Sequence, residues 1–358
     1  MAKEISLEKQ AQKALLGYLQ EVPFLKIEPV ISKPSQKQDR GPVPDFRLKL
    51  KYPRDERLLL VEVKDSGQPK TARDAVNQIR RYLENFSHSY GVFFAPYISP
   101  QAAAICKGEG IGYADLAGNC YLSFPQVYIR REDWPNPLKR KRELRSLYAL
   151  KASRVLRVLL STASERRRWK VEALAKEAGV SLGQVSNVKK QLVDREWIQS
   201  EADGFWLRAP KDLLEEWSKN YTYRRHTVHD LYSLKDVADI EADLASFCEQ
   251  AGIPYALTGF SAAARFAPSV RYQRAMAYVL GSVDELARKL GLKEVESGAN
   301  LSLLVPADEG VLYGAQKAAD GAQLVSPLQA YLDLKSYRGR GEEAAQAVFE
   351  QVLKPTWA

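Results

Sequence analysis

Thiols and imidazoles are scarce in this chain. Its 358 residues include three cysteines (Cys106, Cys120, Cys248) and three histidines (His88, His226, His229). The cysteines do not have the spacing of a metal site, so a cysteine-based zinc site or a disulfide framework is excluded as the organising feature. So few cysteines suit a reducing cytosol. His226 and His229 fall in a polar joint and His88 at a surface position, so none is expected to ligate a metal. Long apolar runs are missing too. Nothing approaches membrane-spanning length, and the opening MAKEISLEKQ has no apolar core of a signal peptide. No internal repeat or low-complexity tract stands out. The expectation is a soluble cytoplasmic protein without membrane contact, long enough for about two or three domains.

What is present is charge, unevenly placed. The chain carries a formal net charge of +9, yet residues 139–195 alone hold 16 Lys/Arg against 5 Asp/Glu. The rest of the chain is therefore close to neutral. A single concentrated basic segment points to phosphate backbones as partners.

The stretch PDFRLKLKYPRDERLLLVEVKD, residues 44–65, holds the first candidate chemistry. Phe46, Leu48, Leu50 and Tyr52 alternate with polar neighbours, the period of a half-buried strand. A turn composition follows, and LLLVEV then reads as a strand covered on both faces. Glu62 and Lys64, two residues apart, leave the same face of that strand. Charge in a central strand is expensive unless it is paired or bound to a metal. One reading is a plain ion pair at a strand end with Asp45 in a turn. The other brings Asp45 and Glu62 together as hard oxygen ligands for magnesium or manganese, with Lys64 beside them. TARDAVNQIRRYLENF (71–86) predicts a helix capped at Thr71, with Gln78 and Tyr82 one turn apart at the edge of its apolar face. An amphipathic helix over 4–20, a strand at YGVFFAPYI, a short helix at SPQAAAICK and a hairpin turning at Ala117-Gly118-Asn119 complete an α/β domain over residues 1–131.

Residues 132–145 read as a Pro-containing basic linker. In the next unit, 146–220, Ala175, Gly179, Val185 and Val188 have the spacing of a helix-turn-helix, and WIQSEADGFWLRA reads as a strand–turn–strand wing. Gln184, Ser186, Asn187 and Lys190 point away from the valine stripe, where bases or phosphates would lie. Arg166, Arg167, Arg168, Lys170 and Lys189 supply further positive charge for DNA. Residues 221–358 read as a third, α/β region, with strands at RAMAYVL and NLSLLVP and two closing helices.

PD at Pro44-Asp45 followed by EVK at Glu62–Lys64 resembles the PD-(D/E)XK nuclease superfamily, and QIRRY at Gln78–Tyr82 resembles a Q-x-x-x-Y element that some members carry. The resemblance implies a restriction-endonuclease-like α/β core over about 130 residues. It also implies a magnesium- or manganese-dependent DNA endonuclease site, with Asp45 and Glu62 as metal ligands and Lys64 assisting the water. Some members add a glutamate from the first helix, for which Glu4 and Glu8 are candidates. YALTGFSAA and VSPLQAYLDLKSYRGRGEEAAQAVF, with GYADLAGNCYL earlier, resemble AbiEi-type antitoxins of type IV toxin–antitoxin systems. That resemblance implies operator binding, transcription regulation and a cognate toxin or defence partner, with a homodimer as a further expectation. The C-terminal region also resembles a degenerate nucleotidyltransferase fold. Its strand RAMAYVL lacks the Asp-x-Asp that such chemistry needs, so no transferase activity is expected. A non-catalytic antitoxin and repressor is the competing function.

Overall fold

A computed structural model defines residues 6–30, 43–53, 55–135 and 147–357. The sequence-predicted linker lies mostly outside them, as does Glu4. The chain is mixed α/β and divides into two compact units, residues 1–141 with 193–196, and residues 142–192 with 197–358.

The first unit is built on a seven-stranded sheet whose spatial order follows the chain: β1 (Lys26–Val30), β2 (Phe46–Tyr52), β3 (Asp55–Val63), β4 (Ser89–Ala95), β5 (Gly112–Asp115), β6 (Cys120–Phe124) and β7 (Val127–Arg131). The β3–β4 and β4–β5 pairs are parallel and the others antiparallel. Each parallel pair needs a crossover, supplied by α2 (Pro69–Asn85) and α3 (Pro100–Gly108). Helix α1 (Leu7–Gln20) buries Ala11, Leu15 and Leu19 against Leu48, Leu50, Leu59 and Val61 on one face. Helix α2 buries Ala72, Val76, Ile79 and Tyr82 against Leu60 and Phe93 on the other. The Ile79 side chain fills the space a Cβ would need at Gly91, so α2 seats directly on the backbone of β4.

Two local expectations change. Helix α2 starts at Pro69 after Gln68, so Thr71 lies inside the first turn and caps nothing. Proline at the first helical position, with its preset φ and missing N–H, fixes the earlier start. Strands β1 and β7, at the two edges of the sheet, are additions to the predicted elements.

The second unit opens with α4 (Leu150–Ser161), α5 (Val171–Ala178), α6 (Leu182–Asp194) and the hairpin β8 (Ile198–Glu201) and β9 (Gly204–Leu207). Gly179, at φ +61°, ends α5 in the left-handed conformation that the sharp turn into α6 requires. Val185, Val188 and Leu192 are the buried stripe of α6.

Helix α7 (Pro210–Asn220) leads into a second seven-stranded sheet, ordered β13-β10-β14-β12-β11-β16-β15. Its strands are β10 (Thr227–Tyr232), β11 (Tyr255–Leu257), β12 (Ala275–Val279), β13 (Lys293–Glu294), β14 (Leu301–Val305), β15 (Gln316–Lys317) and β16 (Gln323–Leu324). Helices α8 (Val237–Ala251), α9 (Gly259–Phe266), α10 (Val283–Leu290), α11 (Pro327–Lys335) and α12 (Gly341–Val348) complete it, and a π-turn (Phe349–Leu353) leads to the short α13 (Lys354–Thr356). The expected polar joint at His226 and His229 is instead the entry and middle of β10. His226 is buried, and its Nδ1 accepts from the Ala307 amide at 3.1 Å.

Candidate active site and nucleic-acid interface

In the first unit, strand alternation places Glu62 on the face of Leu60, under α2. Glu62 is 2% exposed, and both its oxygens are engaged. The Lys64 ammonium donates to Oε1 and the Tyr82 hydroxyl to Oε2, the latter at 2.7 Å. Gln78, one helical turn before Tyr82, closes the ring: its Nε2 donates to the Tyr82 oxygen at 2.6 Å and its Oε1 accepts from Lys64 at 3.2 Å. Burial and the bond to Glu62 both push the Tyr82 phenol well above its ordinary pKa, so it stays a neutral donor.

Asp45 lies where β2 begins. Its amide donates to the Val61 carbonyl at 3.0 Å, and its Oδ2 accepts from the Val63 amide at 2.7 Å. Those two bonds land on the residues either side of Glu62, so Asp45 is clipped across the strand at the point where Glu62 projects. Asp45 is exposed and Glu62 buried, so the pair spans from solvent into the sheet. The structure therefore brings all five predicted residues of this unit to one place. Glu8 is not among them: α1 packs on the opposite face of the sheet from Glu62, and Glu8 is exposed there.

The donor set fits a magnesium or manganese ion. Magnesium is typically held by one or two carboxylates, with waters and substrate phosphate completing its shell. Two carboxylates with spare lone pairs are what Asp45 and Glu62 offer. Among the described residues no cluster of three or more His, Cys, Asp or Glu forms a fuller cage.

In the second unit the predicted DNA-facing residues divide into two sets. Ser186, Asn187 and Lys190 are exposed on α6, with Gln184 half-buried beside them. Arg166, Arg167 and Lys170 are exposed ahead of α5, and the Arg167 guanidinium stacks 4.0 Å from the Trp169 ring centre. Arg168 and Lys189 are already occupied. Arg168 pairs with Glu201 at 2.8 Å and with Asp203, both on the hairpin, while Lys189 lies 4.6 Å over the Phe205 ring. The hairpin tip is thus acidic and neutralised from within, a feature visible in its sequence SEADG. Leu182, 52% exposed at the start of α6, also faces solvent.

A buried polar network joins α4 to α11 in this unit. Asp333 accepts from Tyr221 (2.6 Å), Tyr278 (3.0 Å) and Gln329 (3.0 Å), and from Thr258. Arg157, 3% exposed, donates to Gln329 Oε1 at 2.6 Å and to the Ser153 hydroxyl at 2.9 Å. Burial raises the Asp333 carboxyl and lowers the Arg157 guanidinium from their ordinary values.

Residues 207–354 match the family described as the AbiEi antitoxin, a transcriptional regulator of a type IV toxin–antitoxin system. No curated protein matches the chain in sequence. Solved structures similar to it include a repair endonuclease from Pyrococcus abyssi, at 13% identity and TM-score 0.22, covering 32% of this chain and 49% of that one. EndoMS in complex with double-stranded DNA aligns at 17% identity and TM-score 0.22, covering 32% of this chain and 48% of that one. The chain thus spans about half the length of these proteins. Among the described residues, no helix is long and apolar enough to cross a membrane.

Proposed function

We propose that the first unit hydrolyses phosphodiester bonds in DNA and that the second unit binds DNA as a regulator of the antitoxin type, both inside the cell. The observation that carries the nuclease reading is the closed Glu62–Lys64–Gln78–Tyr82 ring with Asp45 clipped to the backbone on either side of Glu62. A structural ion pair between Glu62 and Lys64 needs neither an amide–phenol pair behind it nor a second, exposed carboxylate in front.

Asp45 and Glu62 would hold a magnesium or manganese ion, whose charge polarises the phosphate and acidifies a water. Tyr82 holds the Glu62 carboxylate directly, and Gln78 holds Tyr82 and Lys64, so the carboxylate stays aimed. Lys64 places its ammonium beside the reacting phosphate, where it stabilises the extra negative charge gathered on the phosphoryl oxygens. The water oxygen bonds to phosphorus and one P–O ester bond breaks. The water's proton passes to solvent, and the departing sugar oxygen takes a proton in return.

In the second unit, Ser186 and Asn187 would face base edges, with Asn187 able to read adenine, while Lys190, Arg167, Arg166 and Lys170 hold phosphates. One specific observation favours a second reading, a repressor that binds without cutting: the family match covers the second unit alone. A toxin partner and a homodimer belong to that reading. Incubating plasmid and single-stranded DNA with the protein in magnesium separates the two. Cleavage lost in Lys64→Ala supports the nuclease, and intact DNA with tight binding supports the repressor.

A further inference from the structure

Arg47 lies two residues from Asp45 on β2, opposite Leu60, on the α2 side of the sheet. Lys49 and Lys51 follow on the same face, alternating with the buried Leu48 and Leu50. Three cations in a row along β2, leading away from the candidate nuclease site, invite a phosphate track, but two of them are spent. Lys49 pairs with Glu56 and Lys51 with Glu28, each at 2.8 Å. Arg47 has no carboxylate partner among the described residues. Its guanidinium sits 4.6 Å over the ring of Phe86, and its Nε is buried without a hydrogen-bond partner among the described residues.

A buried donor left unpaired is costly, and structures rarely keep one without a reason. Stacking on Phe86 fixes the plane of the guanidinium, and a guanidinium held in a fixed plane is the geometry with which arginine takes a phosphate in two parallel bonds. Phe86 is four residues beyond Tyr82, which holds Glu62, so α2 sets the spacing between Arg47 and the carboxylate centre.

From this we infer that Arg47 is a phosphate-binding residue of the first unit: it grips the phosphodiester backbone of the strand entering the site, next to the bond that is cut. The inference rests on the nuclease reading for the meaning of "next to the bond", but its test does not require cleavage.

The test uses the full chain carrying Lys190→Ala and Arg167→Ala, which lowers the contribution of the second unit. Binding of a fluorescein-labelled single-stranded 20-mer is followed by anisotropy across a potassium chloride series, with and without magnesium. Arg47→Gln should lower the slope of log affinity against log salt by about 1 and weaken binding at every salt concentration. Arg47→Lys should restore the slope, because it restores the charge, but not the full affinity, because it loses the fork. Arg47→Met keeps apolar contact with Phe86 and should behave like Arg47→Gln, which separates charge from packing. An unchanged slope in Arg47→Gln, with an unchanged melting temperature, overturns the inference, as does a parent protein that does not bind the oligonucleotide. A parent that binds with the predicted slopes yet never cuts in magnesium or manganese overturns the nuclease reading and leaves Arg47 as a phosphate contact of a binding surface.

Discussion

The Tyr82 hydroxyl donates to Glu62 Oε2 at 2.7 Å in a buried setting, across 20 residues of sequence. Tyr82→Phe removes that donor and leaves a buried carboxylate oxygen with one fewer partner. The expected cost is about 1.5–3 kcal/mol, the range for hydrogen bonds to charged groups. Urea denaturation of wild type and Tyr82→Phe measures it, and a loss below a few tenths would mean that Glu62 does not depend on the phenol.

Divalent ions should stabilise the first unit. Asp45 and Glu62 come together only in the fold, so an ion that uses both binds the native state better than the unfolded chain and raises the melting temperature by mass action. Magnesium and manganese titrations of wild type should both show the rise, and Asp45→Asn should respond less. A wild-type protein whose melt is indifferent to both metals would leave the carboxylates without their proposed ligand.

Arg157 should prove hard to remove. It is a buried cation held by Gln329 and Ser153 and stacked 5.1 Å from the Trp217 ring centre. Truncating one member of such a network costs about 3–5 kcal/mol when a buried charge loses its compensation. Arg157→Met and Asp333→Asn, joined through Gln329, should be non-additive in a double-mutant cycle. Additivity within about 0.5 kcal/mol would mean that the two ends do not communicate.

Acid should weaken the second unit through His226. Burial first, then the charges of Arg157 and Arg225, lower its pKa to about 4 in the folded protein. The unfolded chain titrates near its ordinary value of about 6.5 and so binds the proton first as pH falls. The stability gained by keeping the imidazole neutral is therefore present above about pH 6.5 and is lost progressively down to about pH 4. His226→Gln keeps a polar side chain without the titration and should lose less stability than wild type between pH 7 and 4.5, as read by urea midpoints. Equal losses would assign the acid sensitivity elsewhere.

On the face proposed to bind DNA, Lys190→Ala should reduce the salt slope of duplex binding by about 1, and Asn187→Ala should alter sequence preference. Arg168→Ala should change the slope least, because Glu201 and Asp203 already take its charge. A large drop from Arg168→Ala would show that those pairs open on binding.

Much of this was legible because it is local. The β2–β3 hairpin and α2 carry their periods openly, and Gln78 and Tyr82 are one turn apart on a helix whose apolar face is unambiguous. What stayed hidden was non-local or went against propensity. β1 contains Pro29, which argues against a strand unless the strand lies at an edge, as this one does. The polar alternation of β10 resembled a joint, because half its residues are only partly buried. Arg157 bonds Gln329 across 172 residues of sequence, and no local pattern announces that partner. That Arg47, unlike Lys49 and Lys51, has no carboxylate partner among the described residues is likewise invisible in the sequence.

The most direct test of the nuclease claim is a single-turnover cleavage assay on plasmid and single-stranded DNA in magnesium. It compares wild type with Glu62→Gln and Lys64→Ala, with DNA affinity measured in parallel. The account predicts cleavage by wild type and a loss of about a hundredfold or more in both variants, with affinity changed only a few-fold. Variants that cut as fast as wild type, or a wild type that leaves DNA intact in both magnesium and manganese, would contradict it.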